Sequence, residues 1–121
     1  MTFEERKNQV ESYLGKTVKI RIDRPLGFVH KKGKYALTYP INYGFIPGML
    51  GGDGEDLDVY LLGVNEPVSE YECEIIAIAH RNNDVEDKLI GAPIGVRFLK
   101  EEIESAIRFQ EQYFDTEVEI L

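Results

Sequence analysis

Helical periodicity is confined to the two ends of this chain, and everything between them reads as short extended runs punctuated by glycine and proline. That distribution argues against a parallel α/β sheet, which needs a crossover segment, usually a helix, between successive strands. Residues 2–14 form the first helical segment: Thr2 and Glu5 have capping-box spacing, Phe3, Val10, Tyr13 and Leu14 share a face, and Gly15 ends it. Val18-Lys19-Ile20-Arg21-Ile22 alternates as a strand that buries its aliphatic side chains and exposes Lys19 and Arg21. Two short extended pieces flank a turn at Lys32-Gly33, and strands follow at about 57–63, 72–79 and 86–92. The stretch from Tyr39 to Asp56, with Pro40, Pro47 and its glycines, reads as a long ordered loop. A second helix over about Lys100 to Phe114 and a closing strand from Thr116 complete the chain. The expected fold is α+β, a small OB-like five-stranded antiparallel barrel with an N-terminal and a C-terminal helix. The 121 residues read as one domain, 1–121, able to bury one core without staples.

A formal net charge of -8 argues against nucleic acid and anionic membrane surfaces as partners. Cys73 is the only cysteine, so an internal disulfide is excluded and a reducing, cytoplasmic setting is expected. Its reading is a small core residue, because a nucleophilic role needs an activating partner that the sequence does not supply. The apolar run Ile75–Ala79 is far too short to span a bilayer. His30 and His80 read as hydrogen-bonded surface residues at strand ends.

Asp53-Gly54-Glu55-Asp56-Leu57-Asp58 places four carboxylates within six residues, between a glycine-rich stretch and an apolar strand. Clustered carboxylates repel one another unless a cation neutralises them, and hard oxygen ligands suit Mg²⁺, with Mn²⁺ the alternative. On a strand from Asp84 to Lys88, Asp84, Glu86 and Lys88 would point together, a pairing suited to a metal and a phosphate.

Together with Tyr39-Pro40-Ile41-Asn42-Tyr43-Gly44-Phe45-Ile46-Pro47, this region resembles the soluble inorganic pyrophosphatases. Their pattern is Tyr-Pro-x-Asn-Tyr-Gly-Phe/Tyr-Ile, followed by Asp-Gly-Asp-Pro-Leu-Asp-Val. Here the second part reads Asp53-Gly54-Glu55-Asp56-Leu57-Asp58-Val59. Glu86-Asp87-Lys88-Leu89-Ile90-Gly91 is similar to the family's Asp-x-Lys strand, and Tyr113 matches the tyrosine of its terminal Tyr-Lys pair. The resemblance implies a divalent-metal-dependent hydrolysis of inorganic diphosphate by an activated water, in a family that is commonly homo-oligomeric. It implies Asp53, Asp58, Glu86 and Asp84 as metal ligands and Glu55 as the general base. Lys88 and Tyr43 become catalytic phosphate-binding groups, and Lys31, Tyr39 and Tyr113 bind substrate.

The chain departs from the family at several positions. Arg21 stands where the first strand carries an acid, and the Lys-x-Glu segment that follows is missing with its shortened hairpin. Lys31 stands for an arginine, Arg81 and Asn82 for acids, and Phe114 for a lysine. Two other readings therefore stay open: hydrolysis of a bulkier phosphoanhydride or nucleotide, and a non-catalytic protein that binds phosphate or metal.

Overall fold

The computed structural model describes residues 2–50, 56–84 and 86–121. Along them run α1 (Phe3–Glu11), β1 (Thr17–Arg24), β2 (Val29–Lys32), β3 (Tyr35–Thr38), β4 (Asn42–Leu50), β5 (Asp56–Leu61), β6 (Glu70–Arg81), β7 (Lys88–Ala92), α2 (Lys100–Glu111) and β8 (Thr116–Ile120). Strands pair in the order β1-β4-β5-β7-β6, and β6 returns to β1, so five strands close into a barrel. β8 extends the sheet from β6, and β2 with β3 forms a separate hairpin. Closure depends on β6, which pairs with β1 through Glu70–Glu74 and with β8 through Ala77–Arg81. A register shift between Ile75 and Ala77 lets it bend from one partner to the other.

The α+β barrel with a helix near each end of the chain is the expected fold, but two details differ. β5 and β7 run parallel rather than antiparallel. The chain leaves β5, places β6 one position away, and folds β7 back into the gap. The second difference is β4, a nine-residue strand in place of the expected loop. Its glycine is a packing requirement rather than a breaker, since a Cβ on Gly44 would lie 1.9 Å from the carbonyl oxygen of Arg21. Pro47 falls inside the register shift between Ile46 and Leu50, where its missing N–H interrupts no regular ladder.

Alternation sorts the barrel strands into two faces. Ile20, Ile22, Ile46, Leu57, Val59, Leu61, Cys73, Ile75, Ile78 and Leu89 come from all five strands and fill the interior, with Val10 of α1 added. The opposite faces of β4 to β7 carry Tyr43, Tyr60, Ile76, Ala77, Ala79 and Ile90, which pack against Ile103 and Ile107 of α2. Cys73 is fully buried, and burial pushes its thiol up to about 12, so it is an inert core residue as expected. Thr2 accepts the Glu5 N–H at 3.1 Å, and Glu102 accepts that of Leu99 at 2.8 Å, so each helix starts on a side-chain cap. No described helix is long and apolar enough to cross a membrane.

Asn42 pins two loops to the barrel. Its Oδ1 accepts the Leu26 N–H at 2.9 Å and that of Val68 at 3.3 Å, while Nδ2 donates to Glu66 O at 2.9 Å and Val64 O at 3.3 Å. The residue is fully buried, so Asn42→Ala should cost roughly 3 kcal/mol by leaving these backbone groups unpaired. Urea unfolding checks this, and a loss below about 1 kcal/mol would contradict it.

His80 is buried rather than on the surface. Its Nε2 lies 2.8 Å from Glu119 of β8 and its Nδ1 lies 3.5 Å from Asp87, which meets Arg6 of α1 at 3.2 Å. Glu11 of α1 also faces the ring. Asp87 foremost, then Glu119, raises the His80 pKa against the lowering effect of burial. A raised folded-state pKa gives stability that is complete below the unfolded value of about 6.5 and lost as pH rises through the folded value. The melting temperature should therefore fall as pH rises from about 6 to 9, and His80→Gln should flatten that slope.

Candidate active site

The outer faces of β5 and β7 bring charge together beside α2. Asp58 sits between Leu57 and Val59, which point inward, and Lys88 precedes the inward Leu89. Lys88 is only 3% exposed, and its ammonium donates to Asp58 at 2.5 Å and to Glu86. β7 begins at Lys88, so Glu86 arrives from the preceding loop and not from the strand itself. Two carboxylates converge on one buried cation. Burial works to lower the pKa of Lys88, but Tyr43 and Asp58 outweigh it, and the amine stays charged. The Tyr43 hydroxyl faces the same pair, and burial drives its pKa far above the usual phenol value. Tyr43 is a hydrogen-bond donor here and not a base.

Arg81 is a second buried cation, 2% exposed, on the same side. It donates to Asp84 at 3.1 Å and lies 3.6 Å from Glu86. Its Nε and a terminal nitrogen grip Glu111 of α2 at 3.0 and 2.6 Å, and the Phe114 ring lies 3.7 Å from the guanidinium carbon. Glu111 also accepts from the hydroxyls of Tyr60 at 2.6 Å and Thr116 at 2.7 Å. Burial raises the Glu111 pKa, yet Arg81 foremost among its donors brings it below the ordinary value. Charges therefore alternate along a continuous row, Asp84, Arg81, Glu86, Lys88, Asp58.

A third cation comes from β1. Strict alternation after Ile20 and Ile22 would turn Arg24 into the barrel interior, but the pairing with β4 slips between Ile22 and Arg24. The bulge at Asp23 turns Arg24 outward, where it donates to the Tyr39 hydroxyl and sits 5.4 Å from the Tyr39 ring and 5.8 Å from that of Tyr43. Lys88 is 5.7 Å from the same Tyr43 ring, so two cations lie within reach of one phenol. Tyr39 passes its own proton to Gln110 of α2 at 2.9 Å. Burial foremost, and the Asp58 charge in addition, raises the pKa of Asp23.

Of the expected site residues, Lys88, Asp58, Glu86, Asp84 and Tyr43 join this row, and Tyr39 joins it through Arg24. Tyr113 is 72% exposed and borders a cavity of about 630 Å³ beside Arg24 and Tyr39. Lys31 is exposed on β2, and its neighbour His30 borders that cavity instead. Asp53 and Glu55 lie outside the described residues. Sequence reasoning passed over Arg24, Asp23 and Glu111. Glu111 carried a usable signal, a charged residue continuing the apolar spacing of Ile103 and Ile107 on α2.

The donor set fits a hard divalent cation. Asp58 and Glu86 offer carboxylate oxygens at one point, which is what Mg²⁺ takes from protein alongside water and phosphate. Among the described residues, one group of three brings its ligand atoms within 4.8 Å of one another: Glu11, His80 and Glu119. It lies on the other face of β6, where Asp87 foremost, then Glu119, favours a proton on the imidazole, whereas a metal needs the neutral ring.

The family model of inorganic pyrophosphatase matches residues 9–117. The inorganic pyrophosphatase of Aquifex pyrophilus is 34% identical over 91 residues, covering 69% of this chain and 51% of that protein. That of Rickettsia prowazekii is 30% identical over 82 residues, 63% of this chain and 48% of that protein. This chain thus spans about half the length of the curated relatives it matches. The crystal structure of inorganic pyrophosphatase from Ehrlichia chaffeensis shares the fold, with a TM-score of 0.67 at 19% identity over 88% of this chain and 87% of that one. With a match running through the barrel and α2, the chain belongs to the inorganic pyrophosphatase family.

Proposed function

We propose that this chain hydrolyses a phosphoanhydride, with inorganic diphosphate as the substrate its site supports best and Mg²⁺ or Mn²⁺ as the cofactor. The observation that carries the reading is the convergence of Asp58 and Glu86 on the buried Lys88 beside Tyr43. Asp58 and Glu86, joined by Asp53 and Asp84, would hold the cation. When bound, it would lower the pKa of a water ligand and offset phosphate charge.

The chain's own groups supply the rest. Glu55 accepts the proton of the attacking water as its oxygen bonds to one phosphorus. The bridging P–O bond then breaks, and the departing phosphate carries the electron pair. Lys88, which stays charged, and Tyr43, which keeps its phenolic proton, donate to the phosphoryl oxygens where that charge develops. Arg24 adds a forked cation beside Tyr39 and Tyr43. Tyr39 orients Arg24, and Lys31 and Tyr113 meet the substrate from the hairpin and the segment after α2. A second reading, phosphate binding without turnover, draws support from Arg81, which already neutralises Asp84 and Glu86.

Phosphate release from diphosphate should require Mg²⁺, and Glu55→Gln should lower kcat at least about 100-fold while Mg²⁺ binding persists. Wild-type protein that binds diphosphate but releases no phosphate at any metal concentration would favour the second reading.

Lys88→Ala removes the ammonium held between two carboxylates, so it should cost about 3 kcal/mol of stability without metal. Mg²⁺ should then raise the melting temperature of the variant more than that of the wild type, because the ion replaces the missing charge. Equal shifts in a thermal melt would show that Asp58 and Glu86 do not hold the metal.

A further inference from the structure

The cavity beside Arg24 is larger than diphosphate needs. At about 630 Å³ it has the size of a small-molecule site, and Tyr35, Tyr39, Tyr113 and Phe114 provide aromatic walls. Tyr35 is 83% and Tyr113 72% exposed, so two large rings stand in solvent with no packing role to hold them there. The floor is polar: Arg24 and Gln110 meet on the Tyr39 hydroxyl.

Charge adds an independent observation. The chain carries -8 overall, yet Lys31 and Lys34 stand exposed on the β2–β3 hairpin, from which His30 and Tyr35 border the cavity. Arg24 adds its guanidinium from the cavity lining and lies 5.8 Å from the Tyr43 ring. Arg24 favours an anion in the cavity, and the exposed rings of Tyr35 and Tyr113 favour a flat aromatic group.

We infer that this cavity binds the aromatic group of a phosphoanhydride ligand, with Arg24 on its phosphates, and that the ligand class is a free nucleoside diphosphate. The inference rests on the phosphoanhydride reading of the same site and deepens it. The base stacks on Tyr35 and Tyr113, a contact that tolerates any base. The phosphates run past Arg24 toward Lys88 and the carboxylate pair. Single-stranded nucleic acid is a poorer fit, because the acidic remainder of the surface repels a long polyanion.

The test uses ADP and inorganic diphosphate as probes in calorimetric titrations with Mg²⁺ present, on the full chain. ADP should bind and be displaced by diphosphate. Tyr35→Ala with Tyr113→Ala should weaken ADP about tenfold, the effect of losing a base–aromatic stack, and weaken diphosphate by much less. Arg24→Gln should weaken both probes. Both tyrosines are exposed, so their removal leaves the core untouched, and melting curves check this. ADP that fails to bind, or that binds the tyrosine variant as tightly as wild type, overturns the inference. Diphosphate hydrolysis alongside either result would leave the hydrolase reading standing. ADP binding that depends on the tyrosines, with no phosphate released from either probe, would instead support the cavity and sink the hydrolase reading.

Discussion

A buried ion pair between Arg81 and Glu111 holds α2 against the barrel, and most of the candidate site depends on where α2 lies. Removing two charges from water costs several kcal/mol per ion, and a pair of this kind persists only when its remaining donors and acceptors are satisfied. Here they are. Arg81 spends its nitrogens on Glu111 and Asp84, while Tyr60 and Thr116 fill the remaining acceptor sites of Glu111. The partners come from β5, β6, α2 and β8, so one side-chain network sets the distance between helix and wall. Gln110 precedes Glu111 and reaches Tyr39, and Tyr113 follows and borders the cavity. A shift of α2 would move both.

The other constraint is closure of the barrel between β1 and β4. Gly44 lets the two backbones meet where any Cβ would collide with Arg21. Immediately beyond that contact the register slips at Asp23, and the slip turns Arg24 from the interior to the aromatic face. Gly44 lies between Tyr43, whose ring Arg24 and Lys88 share, and Phe45, so the motif sets backbone contact and cation placement together. Asn42 in the same motif has no chemical partner in the site. It ties the loops at Leu26 and at Val64–Val68 to the strand, which makes it a structural member of a sequence pattern otherwise concerned with the site.

These causes explain what could be read from the sequence. The strands of the interior were legible because Ile20, Ile22, Leu57, Val59, Cys73 and Ile75 alternate with outward residues on a two-residue period. Glu86 and Lys88 were legible as neighbours through their two-residue spacing and Asp58 through its motif, although only folding brings Asp58 to the same ammonium. β4 was hidden by Gly44, Gly48 and Pro47, which signal a loop locally but serve a close approach and a register shift here. Arg24 was hidden because a bulge reverses the facing that alternation assigns. The parallel pairing of β5 with β7 was hidden because it depends on strand order, which no local pattern encodes.

The departures at Arg81 and Phe114 gain meaning from their contact. Taken singly, an arginine in place of an acid and a phenylalanine in place of a lysine look like the loss of one metal-facing group and one phosphate-facing group. In the structure the guanidinium lies 3.7 Å from the centre of that ring, so the two departures are in direct contact. A cation over an aromatic face is attractive, whereas an arginine beside a lysine would be repulsive. The exchange turns this corner inward: its positive charge is spent on Glu111 and Asp84 instead of being offered at the surface. Among the described residues, Arg24 and Lys88 lie 5.8 and 5.7 Å from the Tyr43 ring centre on the aromatic face. Under the proposed function, phosphate recognition would accordingly lie toward β1 and β7 rather than at the end of α2.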